Sequence, residues 1–108
     1  MATQGMLSVV RNGEVILKAV CGCNGSNVEK LKKSLEEGPI LDPTLVHEKC
    51  LENSFGCPEC LVVMSHNRIA SETGDEIGGL YTEKFNDPKF NPRWDRGTVD
   101  NLCIWEVG

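Results

Sequence analysis

Two apolar, β-branched runs, at residues 6–10 and 15–20, stand on either side of Asn12-Gly13. A two-residue connection in a type I′ turn needs positive φ at both central positions, which asparagine and glycine tolerate best. The chain therefore opens with a β-hairpin, and the remaining segments have to pack on it. The second strand runs directly into Cys21-Gly22-Cys23. Side chains two apart on a strand point to the same face, so these two thiols are delivered together.

Cys57-Pro58-Glu59-Cys60 supplies a second close pair. Zinc takes four soft ligands in a tetrahedron, and a C-x-x-C turn presents two thiolates to one point with little strain. Proline after the first cysteine suits a tight knuckle, and Gly22 lets Cys21 and Cys23 fold around a metal without a Cβ clash. Cys21, Cys23, Cys57 and Cys60 are thus read as a structural zinc site. The gap between the pairs is longer than in common zinc fingers, so other readings stand beside it. His47 and Cys50 share a helix face by their spacing and, with Cys57 and Cys60, form a more local ligand set. Cys57 and Cys60 alone suggest a thiol–disulfide oxidoreductase. That arrangement needs a strand before the motif and a helix after it, and here the pattern is reversed. Cysteine thiols also behave as small hydrophobes and are often simply buried, which best explains Cys103 between Leu102 and Ile104.

Ser26-Asn27-Val28-Glu29 matches a capping box, opening a helix over 27–37 with Val28, Leu31 and Leu35 on one stripe. Lys30, Lys32 and Lys33 belong to its solvated side, and Gly38-Pro39 ends it. Asp42-Pro43 is a strong start for a second helix over 43–53, burying Leu45, Val46 and Cys50. Residues 61–64 form a strand, His66-Asn67 a turn, and residues 68–70 the returning strand. From 71 to 97 glycine and proline punctuate the chain and no apolar period survives. Residues 102–107 close with a strand. The expected fold is α+β: a small antiparallel sheet made of the N-terminal hairpin, a central hairpin and a C-terminal strand, with two helices on one face.

The 108 residues are read as a single domain, 1–108. Six cysteines fall short of the roughly 8–10% that marks a disulfide scaffold. The first residues show no basic, apolar leader, and no run approaches the ~18 apolar residues of a membrane span. A reducing cytoplasm is the expected location, with Asn24-Gly25-Ser26, a glycosylation sequon, as the counter-indication. A net charge of −5 argues against a general nucleic-acid binder.

No phosphate loop, dinucleotide fingerprint, H-E-x-x-H or nucleophile elbow is present. The best recognition candidate is the irregular stretch carrying Tyr81, Phe85, Phe90, Arg93 and Trp94, residue types that dominate interface hot spots. Basic and aromatic residues interleaved there also suit single-stranded nucleic acid, but Glu83, Asp87 and Asp95 leave one net positive charge. The same aromatics would serve equally to anchor that stretch onto the sheet. The expected function is a non-enzymatic protein-interaction module with a zinc-type cysteine cluster. The alternatives are the oxidoreductase using Cys57 and Cys60, and a small-molecule-binding domain without metal.

Overall fold

Asn12 and Gly13 both adopt positive φ, 52° and 78°, and close the first hairpin as a type I′ turn. In this computed structural model, which describes residues 3–22, 25–38, 41–55, 60–66, 68–72, 83–92 and 99–107, the hairpin consists of β1 (Gly5–Arg11) and β2 (Glu14–Cys21). A bulge between Val9 and Val10 breaks their register once. Two helices come next, α1 (Val28–Glu37) and α2 (Pro43–Glu52), then β3 (Leu61–Met64), β4 (Ile69–Ser71) and, last, β5 (Asn101–Glu106).

The five strands form one sheet in the order β4-β3-β2-β1-β5. The class is α+β, but the sheet is mixed: β5 lies parallel to β1, whereas every other neighbour is antiparallel. The β3–β4 hairpin adds to β2, and the final strand takes the far edge at β1 instead of the one at β4. Reaching it, the chain crosses the sheet and arrives running in the β1 direction.

Both helices pack on one face, α1 over β1 and β5, α2 over β3 and β4. Leu7, Val9, Leu17, Ala19, Leu61 and Val63 meet Val28, Leu31, Leu35, Val46 and Cys50 there. Asp42 caps α2 as its sequence demands, its Oδ1 accepting from the Thr44 and Leu45 N–H groups at 2.9 and 3.3 Å. Its Oδ2 takes a guanidinium hydrogen bond from Arg68 at 3.1 Å, tying the start of α2 to the strand pair β3–β4. The capping box expected at Ser26 does not form. A 3₁₀ turn over Gly25–Asn27 leads into α1, Asn27 takes the cap position without a side-chain cap bond, and its amide instead reaches Ser54 O at 3.3 Å. This turn is set by a main-chain crossing. Gly25 N–H donates to Thr3 O at 2.8 Å, and a Cβ on either Gly5 or Gly25 would overlap the other's backbone.

Over β1, β2 and β3 the opposite face of the sheet is also covered. Met6, Val10, Val15, Val20, Val62 and Met64 form a second apolar layer closed by Phe85. With both faces buried, β3 and most of β2 lose the in–out alternation of a half-exposed strand. The covering segment, residues 83–92, belongs to the crossing between β4 and β5 and lies over β2.

Candidate functional site

Among the described residues, Cys21 and Cys60 come together at one end of the sheet. Cys21 is the last residue of β2 and pairs with Leu61, the first of β3, so Cys60 stands just before its partner strand. Two adjacent strands thereby deliver one member of each close cysteine pair to the same end. Cys23 and Cys57, the other proposed ligands, lie outside the described residues. Among the described residues no group of three or more His, Cys, Asp or Glu side chains is placed to hold a metal ion.

Cys50 reaches the same region from α2 and is completely buried. Burial pushes its thiol up to about 12, the neighbouring Cys21 adds to the rise, and Lys49 opposes it. Cys103 on β5 is raised as well, by burial first, with Lys32 opposing and Glu29 and Glu36 adding. A thiol held so far above its ordinary value is not a nucleophile at neutral pH. At about pH 8, Cys50 should carry roughly a thousandfold less thiolate than a free cysteine, so native-state alkylation should label Cys103 well before Cys50. Peptide mass spectrometry after a timed iodoacetamide pulse reads the order, and early labelling of Cys50 would show that α2 does not seal it.

His47 also lies on the buried side of α2, 7% exposed, and its Nε2 makes no hydrogen bond among the described residues. His66, by contrast, is committed. Its Nε2 lies 2.9 Å from Val15 O, and since a carbonyl only accepts, that nitrogen carries the proton. As for dithiol chemistry, β3 begins immediately after Cys60. The motif is therefore followed by a strand, not by the helix N-terminus that lowers the nucleophile's pKa in thioredoxin-like sites.

The aromatic segment divides in two. Tyr81, Arg93 and Trp94 lie outside the described residues. Phe85 and Phe90 are buried, 0% and 8% exposed, and face the sheet instead of solvent. What holds them there is a residue that hydropathy alone passes over. Lys18, in the middle of β2, is 0% exposed, and its Nζ donates to Asp87 O at 2.8 Å and Phe90 O at 2.6 Å. The ammonium also lies 5.0 Å from the Phe85 ring centre and 5.7 Å from that of Phe90. Ser8, directly across from Lys18 on β1, donates to Pro88 O at 2.7 Å. One cross-strand pair thus grips three carbonyls of the crossing segment. Burial pushes the Lys18 amine down to about 8, with Asp87 pulling it back up. Buried on all sides, it latches the crossing segment onto the sheet. The signal in the sequence was a lone lysine at the centre of the apolar run 15–20.

The exposed apolar surface is elsewhere. Leu45, expected on the buried side of α2, is 48% exposed instead, since Val46, His47 and Cys50 take the inward positions. Leu102 and Ile104 on β5 are each 39% exposed, on the face away from the helices, while Cys103 and Trp105 pack inward. Strand β5 is an edge of the sheet. No helix among the described residues is long and apolar enough to cross a membrane. Compared with protein-family models, characterised proteins and solved structures, the chain matches none.

Proposed function

We propose that this chain is a non-enzymatic protein-interaction module whose contact surface is β5. The observation that carries this reading is the pair Leu102 and Ile104, two large apolar side chains left at 39% exposure on an edge strand. Edge strands expose main-chain donors and acceptors that template pairing with another chain. The deep burial of Lys18 and Cys50 supports a binding role over a catalytic one, since these perturbed groups serve packing and sealing. Phe85 and Phe90 leave the proposed contact set because they are buried. Tyr81, Arg93 and Trp94 remain in it by residue type alone.

The zinc clasp belongs to the same proposal. Cys21, Cys23, Cys57 and Cys60 would fix the strand ends, and the pairing of Cys21 with Leu61, next to Cys60, is the observation that supports it. A bound structural metal is coupled to folding, so chelation should lower the melting temperature and elemental analysis should return one zinc per chain. For the contact surface, a photo-crosslinker placed at position 102 should give a discrete adduct in cells that disappears when Ile104→Lys is added. Absence of an adduct, or one indifferent to Ile104→Lys, would remove β5 from the reading.

A further inference from the structure

We infer that the outer side of β5 receives an extended segment of another protein, with apolar residues at alternate positions and a basic residue at each end. The inference rests on the interaction reading and names its partner.

The main-chain geometry comes first. Asn101 N–H donates to Gln4 O at 3.0 Å and Val107 N–H to Val10 O at 2.8 Å, one at each end of the β1–β5 ladder. The register between them is unbroken from Gly5↔Asn101 to Val10↔Glu106. Peptide groups alternate in direction along a strand, so the odd-numbered residues of β5 turn theirs toward β1. Leu102, Ile104 and Glu106 turn theirs outward, and among the described residues no strand pairs with that side. Natural edges are protected by lysine, proline or a bulge within the strand. Residues 101–106 contain none of the three.

Side chains then choose the occupant. Leu102 and Ile104 are partners of Met6 and Ser8 across the ladder and so lie on the face away from the helices. They call for apolar side chains directly opposite them. The ends call for positive charge: Asp100 and Glu106 are both exposed, and they stand about 20 Å apart at roughly 3.3 Å per residue. Asp100 Oδ2 also accepts from Gln4 N–H at 3.0 Å, which fixes the carboxylate at the end of the ladder, so Glu106 is the less committed of the two. A strand laid antiparallel would set its apolar residues against Ile104 and Leu102 and its basic ends against Glu106 and Asp100.

A second copy of the chain is the competing occupant, since the apolar pattern is symmetric about Cys103. In that register Leu102 faces Ile104 of the other copy, but Asp100 faces Glu106 at both ends. Like charges directly opposite are destabilising. Charge therefore selects a basic-ended strand over self-pairing.

The probe is a blocked heptapeptide with lysine at both ends, isoleucine at positions three and five, and threonine elsewhere. It should slow hydrogen exchange at the Leu102, Ile104 and Glu106 amides and bind less well as salt is raised. Asp100→Asn and Glu106→Gln should each weaken it about two- to five-fold, the range of an exposed ion pair, and Ile104→Lys should abolish it. Equal binding of a glutamate-ended peptide would overturn the partner chemistry and leave the interaction reading standing. So would a concentration-dependent dimer that mild oxidation crosslinks through Cys103, whose counterpart in that register sits within disulfide reach. Unchanged exchange at all three amides with every peptide, and no dimer, would overturn both.

Discussion

Truncating Phe85 to alanine should destabilise the fold by about 3–5 kcal/mol, the range for removing a large aromatic side chain from a core. The side chain is completely buried in the layer formed by Met6, Val10, Val15, Val20, Val62 and Met64. It also meets the His66 ring edge-on, with centroids 4.4 Å apart, and covers the Lys18 ammonium. Nothing nearby can refill the space without lifting residues 83–92 from the sheet. Leu102→Ala, at an exposed site of similar polarity, should change stability by less than about 0.5 kcal/mol. Urea unfolding of the two variants makes the comparison. A Phe85→Ala loss below about 1 kcal/mol would return Phe85 to the surface and to the set of partner-binding residues.

The second large effect is a pH dependence that belongs to Lys18. Its amine falls from the ordinary 10.5 to about 8 in the fold. Below pH 8 the folded protein holds a buried ammonium that the unfolded chain would leave solvated, and stability carries that cost. Between pH 8 and 10.5 the folded state releases the proton while the unfolded state keeps it. The unfolded state then binds more protons, so stability rises with pH across this window. The gain is on the order of 2–3 kcal/mol once solvent screening is allowed for.

Cys50 acts in the opposite sense. Its thiol stays protonated up to about 12 in the fold, so it costs stability as pH climbs above 9. The two effects separate in a difference measurement. Wild type minus Lys18→Met removes the Cys50 contribution, which both proteins share. At neutral pH the variant should be about 1–3 kcal/mol less stable, because the Asp87 and Phe90 carbonyls lose their donor while the buried charge is relieved. The gap should widen from pH 8 to 10.5. Parallel pH profiles would mean that the Lys18 amine is not sealed.

These residues mark where reading the chain stops being enough. Phe85 and Phe90 sit in a stretch with no apolar period, so pattern alone assigns them no face. Their burial depends on Lys18 and Ser8, which grip the carbonyls of residues 87, 88 and 90 from strands nearly seventy or more positions away. A hydropathy pattern treats that lysine as an interruption. Only the facing carbonyls and rings make it a partner. The Ser26 capping box failed for a similar reason: Gly25 is held against Gln4 and Gly5 by a crossing of main chains, and that contact sets the turn before α1.

What the chain determines by itself is local and strong. Asn12-Gly13 closes a type I′ hairpin because both residues accept positive φ. Asp42-Pro43 starts α2 because the carboxylate takes the first free N–H groups, and the stripe Val28, Leu31 and Leu35 turns α1 toward the sheet. Tertiary structure alone decided that β5 runs parallel to β1, that Lys18 is buried, and that the large apolar residues left outside, among the described residues, are Leu45, Leu102 and Ile104 instead of Phe85 and Phe90. The physical reason is common to all three. A strand carries its own period but not the identity or direction of its neighbour, and a polar group can be buried only where distant parts of the chain bring its partners.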